Sequence, residues 1–275
     1  MAEAAPGGGP PPRDQPPPDK KDPVPVIEYR RVVYLIPNLF TALALLLGFY
    51  AIFKAVDGEF QTAGLAIIIA SVMDAMDGRV ARMINAESAF GAQFDSLSDA
   101  LCFGLAPVVL AHQWGLHEFG RIGFIAGFFF CAAAIIRLAR FNISHGLVDP
   151  RYFSGLPSPL AGILVASLVL VVGTEPSLGE ALLVMLTMLV ISATMVSDFR
   201  FYSFKDINLR ARVQTPAMML AVLVAFAFIT LMLLEFGVLA ILLFCLAYLA
   251  SGFAISSRYL LRRLKRFFRG LSASD

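Results

Sequence analysis

Residues 74 to 99 read Asp-Ala-Met-Asp-Gly-Arg-Val-Ala-Arg, then eight residues, then Gly-Ala-Gln-Phe-Asp-Ser-Leu-Ser-Asp. Four carboxylates, Asp74, Asp77, Asp95 and Asp99, thus stand between long apolar runs. An ionised side chain at the centre of a bilayer costs about 2.5–3.5 kcal/mol even on insertion scales. Four acids in one place also repel one another, so they call for cations. A donor set made of carboxylate oxygens selects Mg²⁺ or Mn²⁺, which prefer carboxylates combined with a substrate phosphate. Two such ions can clamp the attacking and leaving oxygens of a phosphoryl transfer. The rival use of the same acids is an ion pathway, as in a cation transporter.

Helices are the elements that must present them. At 100° per residue, Asp74 and Asp77 lie about 60° apart on one helical face, and Asp95 and Asp99 about 40° apart. A short turn around Asn85-Ala-Glu-Ser88 makes the two helices antiparallel neighbours, so both pairs can face one cleft. Gly78 and Ala81 remove bulk beside Asp77. Arg82 offers a planar fork suited to phosphate, and Gly91 opens the turn of helix that presents Asp95.

The rest of the chain is built for lipid. It has 275 residues, 58% hydrophobic and only 15% charged, against about 45–50% and 25% for a soluble domain. The pattern predicts an all-α polytopic membrane protein, a bundle of about eight transmembrane helices near residues 33–53, 60–83, 96–113, 120–141, 156–173, 180–197, 215–234 and 236–257. Pro37, Pro107 and Pro216 within them are tolerated better in membrane helices than in soluble ones. With the N-terminus in the cytoplasm, Lys54 and Arg121 are the only outer members of the 22 basic residues, and eight spans return the C-terminus to the inner side. The acidic motif then faces the cytoplasm.

Three regions are expected. Residues 1–24, with their Pro-Pro-Pro and Gly-Gly-Gly runs, cannot bury enough surface to fold, and they lack the apolar core of a signal peptide. Residues 25–257 form the transmembrane domain. Residues 258–275 form a basic cytoplasmic tail whose interleaved Leu and Phe would lie as a helix on an anionic leaflet; nucleic-acid binding explains it less simply, and no nucleic-acid partner is expected. Cys102, Cys131 and Cys245 lie in apolar runs without close spacing and read as small buried hydrophobes; the three histidines are scattered and carry no chemistry.

The run Asp-x2-Asp-Gly-x2-Ala-Arg-x8-Gly-x3-Asp-x3-Asp resembles the signature of the CDP-alcohol phosphotransferase family, with every specified position matched. The resemblance implies a membrane enzyme that transfers a phosphatidyl group from a CDP-lipid to an alcohol and releases CMP. It also implies a bound CDP-diacylglycerol, two divalent metals and, as a family expectation, a homodimer. Carried over by position, Asp74, Asp77 and Asp95 are metal ligands. Asp99 is the general base with a share in the second metal, and Gly78, Arg82 and Gly91 contact the CDP moiety. Ile36-Pro-Asn-Leu-Phe-Thr41 resembles a segment near the nucleotide, which adds Asn38 and Thr41.

Three later stretches resemble the phosphatidylserine synthase branch: Arg137-Leu-Ala-Arg-Phe-Asn142, Phe153-Ser-Gly-Leu-Pro-Ser-Pro159 and Val196-Ser-Asp-Phe-Arg-Phe-Tyr-Ser-Phe-Lys205. That branch implies L-serine as acceptor and an inner, cytoplasmic membrane. Arg137 and Arg140 share a helical face and could receive a carboxylate or a phosphate, with Asn142, Ser154 and Ser158 as nearby polar groups. An ordinary positive-inside flank explains the two arginines equally well, and inositol, inositol phosphate or glycerol phosphate stay open as acceptors. The topology is checked with a single cysteine at Ser274 in a background without the native cysteines. In sealed, right-side-out vesicles it should resist an impermeant thiol reagent, and exclusive labelling from outside would rule out eight spans with an inner N-terminus.

Overall fold

The structure, a computed structural model, describes residues 28–84, 86, 88–144, 152–197, 200–202 and 237–271. Eight α-helices follow one another: α1 (Glu28–Val56), α2 (Phe60–Met83), α3 (Ala89–Asp99), α4 (Ala106–Trp114), α5 (Arg121–Ser144), α6 (Ser158–Val172), α7 (Leu178–Val196) and α8 (Gly237–Leu271). A π-helical turn, Ala100–Leu105, joins α3 to α4 in one rod. The predicted helix at 215–234 lies outside the described residues.

Among the described residues, five segments can cross a bilayer by length and composition: Pro37–Val56, Ala89–Trp114, Arg121–Ile143, Leu178–Val196 and Gly237–Ala254. The protein is membrane-embedded. Phe124, Phe128 and Phe129 are 67%, 60% and 54% exposed along α5, a surface that water would penalise and lipid covers. Helix α2, which carries two of the carboxylates, and the 15-residue α6 complete the bundle.

Two departures from the expected all-α plan stand out. Residues Tyr152–Ser154 (β1) and Arg200–Tyr202 (β2), both between predicted spans, pair as a short antiparallel ribbon with Ser154 opposite Arg200. Gly155 follows β1 at φ 80°, and a Cβ there would sit 2.3 Å from the Met195 carbonyl oxygen, so only glycine lets the ribbon meet the end of α7. The third rod begins at Ala89 rather than near residue 96, because Ser88 caps it: its hydroxyl accepts the Gly91 amide at 2.9 Å.

Helices α1 and α2 form an antiparallel pair around the Asp57-Gly58 turn, where Lys54 and Glu59 meet at 2.7 Å. That contact holds the Glu59 carboxyl below its usual range. Buried Ala44, Ala51, Ala55, Ala63, Ala66 and Ala70 allow close packing, the small-residue solution that membranes favour. The π-turn is seated the same way. A Cβ on Gly48 of α1 would lie 2.5 Å from Cys102 Sγ and 3.0 Å from its Cα, and one on Gly162 of α6 would lie 3.2 Å from the Phe103 Cα. Cys102 also donates to the Ala44 carbonyl at 3.2 Å. Two glycines thus make room for a wide turn immediately after Asp99.

The contacts between helix ends define two poles. At one, Trp114 is buried and donates its indole N–H to the Gly173 carbonyl at 2.6 Å. At the other lie the C-terminal end of α2, all of α3, the end of α5, the start of α6 and the ribbon.

Candidate active site

Asp74 and Asp77 occupy the last turns of α2; Asp95 and Asp99 occupy the last turns of α3. One carboxylate oxygen from each of Asp74, Asp95 and Asp99 lies within 4.8 Å of the others. The Asp95 carboxyl is also within hydrogen-bonding reach of both Asp74 and Asp77, and that of Asp99 within reach of Asp74. Asp77 is nearly buried and is held by Thr41 of α1, whose hydroxyl donates to Oδ2 at 2.6 Å. The four predicted acids therefore converge, three as a tight group and Asp77 at its side.

The cluster fits a divalent cation. Its donors are all hard oxygens, the set that suits Mg²⁺ or Mn²⁺. Asp99 is 8% exposed, and its Oδ1 is buried without a hydrogen-bond partner. A buried acceptor left unmatched costs about 1–3 kcal/mol, more when charged, which a bound cation or ligand would offset.

The residues expected to hold the nucleotide border the acids. The Arg82 guanidinium folds back over Gly78, where a Cβ would stand 3.5 Å from Nη1, and it acts electrostatically on Asp77. Gly91 faces Asn38: a Cβ there would meet Asn38 Oδ1 at 3.2 Å and Ser88 Oγ at 3.1 Å. Thr41 belongs to the same corner, but it serves Asp77 and also accepts at its carbonyl from Ser98 at 3.4 Å. Asn38, Thr41, Gly78, Arg82 and Gly91 are thus brought together with the acids.

The residues expected around the acceptor part company. Arg137 turns inward, 9% exposed, and donates from Nη1 to Ser158 Oγ at 2.9 Å. Its Nε is buried without a partner, and it lies in electrostatic range of Asp99 and Asp74, and of Tyr248 on α8. Ser158, fully buried, starts α6. Arg140 points the other way: it is exposed and donates to the Val196 carbonyl at 2.5 Å, closing α5 onto the end of α7. Asn142 meets Ser96 of α3, its Nδ2 donating to Oγ at 3.0 Å. Ser154 is placed by its backbone in β1.

Sequence reasoning missed Ser96 and Tyr248. Ser96 stands beside Asp95 inside the motif, yet a serine there reads as a spacer. Tyr248 sits in a span that looked generic; its only flag is a lone hydroxyl among apolar neighbours. The Thr41 contact yields a prediction. Thr41→Val keeps shape but removes the donor to Asp77, and loss of a group that orients a ligand typically weakens metal affinity about 10–100-fold. Mn²⁺ titration of the purified variant checks this, and unchanged affinity would make the contact incidental.

Comparison with known proteins agrees with this geometry. Residues 34–191 match the family described as CDP-alcohol phosphatidyltransferase, a stretch that includes all four acids and Arg137. The chain is 40% identical over 183 residues to a CDP-diacylglycerol--serine O-phosphatidyltransferase of Helicobacter pylori, covering 64% of this chain and 75% of that protein. It is 31% identical over 168 residues to the archaetidylserine synthase of Methanothermobacter thermautotrophicus, covering 60% and 69%. With the Bacillus subtilis CDP-diacylglycerol--serine O-phosphatidyltransferase it shares 32% over 133 residues, 48% of this chain and 74% of that one. An acid cluster built by two neighbouring helices and a match over more than half its length together assign this chain to the CDP-alcohol phosphatidyltransferase family.

Proposed function

We propose that the protein is a membrane phosphatidyltransferase that makes phosphatidylserine and CMP from CDP-diacylglycerol and L-serine. The observation that carries this reading is Asp99, buried within a cluster of carboxylates and in electrostatic range of the buried Arg137 guanidinium. The relatives named for phosphatidylserine synthesis support the acceptor. Family membership sets aside the cation-transporter reading.

Asp74, Asp77, Asp95 and Asp99 would hold two divalent ions, Mg²⁺ or Mn²⁺. Bound there, the ions would neutralise the pyrophosphate and the charge that develops on the leaving CMP. The protein's own groups do the rest. Arg82, beside Gly78, and Asn38, beside Gly91, receive the CDP moiety where small residues let it approach the helices. Thr41 keeps Asp77 oriented. Asp99 takes the proton of the serine hydroxyl as that oxygen bonds to the lipid-side phosphorus, and the phosphorus–oxygen bond to CMP breaks. General-base catalysis of this kind contributes about 10²–10⁴ in rate.

Arg137, steadied by Ser158, receives the serine carboxylate. A phosphorylated acceptor carries more charge and calls for a second inward cation, whereas Arg140 is committed to Val196. This favours serine over inositol phosphate or glycerol phosphate. Ser154 of the ribbon is near enough in sequence to join this corner. The site faces the cytoplasm of an inner membrane and both termini lie inside, as the distribution of basic residues supports. The three regions 1–24, 25–257 and 258–275 and a homodimeric state belong to the same proposal.

The purified protein, given CDP-diacylglycerol and a panel of alcohols, should release CMP with L-serine alone among serine, myo-inositol, inositol phosphate and glycerol phosphate. Release with another alcohol instead would redirect the acceptor assignment. Asp99→Asn keeps size and an acceptor oxygen but cannot take the proton, so turnover should fall about 10²–10⁴-fold while CDP-lipid still binds. Near-normal turnover would end its role as base. Arg137→Ala should raise the serine KM by about 30-fold or more, since losing a buried charged partner costs about 2–5 kcal/mol. Arg140→Ala should leave that KM nearly unchanged; the opposite order would exchange their roles.

A further inference from the structure

Asn142 closes the last turns of α5, two residues after Arg140, where an acceptor would be expected to meet it. Its side chain is engaged elsewhere. Nδ2 donates to Ser96 Oγ at 3.0 Å, and Ser96 Oγ lies 3.2 Å from Asn142 Oδ1 and 3.0 Å from the Ala92 carbonyl oxygen. The serine hydroxyl therefore accepts from the amide while its own proton goes to one of two oxygens, and both partners are used.

Ser96 follows Asp95 directly and precedes Asp99 by three residues, on an 11-residue helix. Few of its side chains are buried: Phe90 and Leu97 are 70% and 71% exposed, among its described residues only Ser98 and Asp99 are buried, and it meets α1 at Gly91 and Ser98. Its start rests on the Ser88 cap, and its end runs into the π-turn. Among the described residues, the Ser96–Asn142 contact is the side-chain hydrogen bond that joins α3 to α5. Rotation of α3 about its axis would carry Asp95 and Asp99 away from Asp74 on α2. With the three oxygens inside 4.8 Å and metal–oxygen distances near 2.0–2.1 Å for Mg²⁺, a shift of about 1 Å would unmake the site.

We infer that Asn142 is a positioning residue for the carboxylate cluster: through Ser96 it fixes the rotation of α3 and so the placement of Asp95 and Asp99, without touching the acceptor. The inference rests on the metal-binding reading proposed above. The full-length protein in nanodiscs is titrated with Mn²⁺ and free Mn²⁺ is followed by electron paramagnetic resonance; the serine KM is measured separately at saturating Mn²⁺. Asn142→Ala and Ser96→Ala should each weaken Mn²⁺ binding about tenfold or more, the usual scale for a group that orients metal ligands. The double variant should be no weaker than the worse single one. Ser96→Thr, which keeps the hydroxyl, should restore binding, and the serine KM should change less than twofold. A raised serine KM with unchanged Mn²⁺ affinity would make Asn142 an acceptor ligand and overturn the inference. Wild-type Mn²⁺ binding that both alanine variants preserve would overturn it alone. Absence of Mn²⁺ binding by the wild type would remove the metal reading and this inference with it. Should Asn142→Ala fail to fold, the Ser96 pair of variants gives the same decision.

Discussion

Holding four carboxylates together where water is scarce is the constraint to which this end of the bundle answers. Each acid raises the cost of its neighbours, and three of the four carry a compensating feature. Asp77 has the Thr41 hydroxyl and the nearby Arg82. Asp99 and Asp74 have the field of the buried Arg137. Among the described residues three buried side-chain atoms stay unmatched, Asp99 Oδ1, Arg137 Nε and Ser167 Oγ. Unmatched polar atoms in a membrane protein are rare because nothing in the lipid replaces water. The first two, on Asp99 and Arg137, lie within electrostatic range of each other, where the proposed cation and acceptor would supply partners.

The packing exists to hold that cluster in place. Alanine rows let α1 lie close on α2, which brings Thr41 to Asp77 across 36 residues of sequence. Gly48 and Gly162 admit the π-turn from two sides. A π-turn inside an otherwise regular helix changes the phase between the helical segments on either side of it, and such turns recur at functional sites. Here it separates the polar face of α3, which belongs to the site, from the apolar rod of α4, which belongs to the core. Phe103, Ala106 and Leu110 can then be buried without turning Asp99 out of the cluster.

Much of this is legible in the sequence, for a physical reason. Asp74, Asp77, Asp95 and Asp99 are costly in an apolar chain, so their spacing announces both the helices and the shared cleft. The helices predicted at 60–83 and 180–197 are nearly reproduced by α2 and α7, because each starts at a readable boundary, the Asp57-Gly58 turn before one and the Ser177 cap before the other. The ribbon is not legible: strands of three residues have no periodicity to read, and the left-handed Gly155 looks like any turn glycine. Nor is the π-turn, which Ala100-Leu-Cys-Phe-Gly-Leu105 does not signal locally; it depends on glycines 52 and 62 residues distant from Ala100 and dictated by tertiary packing. Ser96 hides in plain sight, since its partner lies 46 residues away.

The two arginines of α5 show where one-dimensional reasoning stops. Both sit at a membrane end where topology alone demands positive charge, and helical spacing puts them on one face. Burial separates them. Arg140 remains exposed and closes the frayed carbonyls of α7, a role that serves helix ends and keeps the charge in a polar setting. Arg137 gives up nearly all of its exposure for one serine hydroxyl and the distant field of two acids. Among the described residues it forms no direct ion pair, the ion pairs there being Lys54–Glu59 and His117–Glu118. A buried guanidinium without a carboxylate in contact is an expensive arrangement for stability alone. Its place near Asp99 fits the proposed acceptor role, in which the substrate's carboxylate would supply the missing partner and bring the hydroxyl toward Asp99.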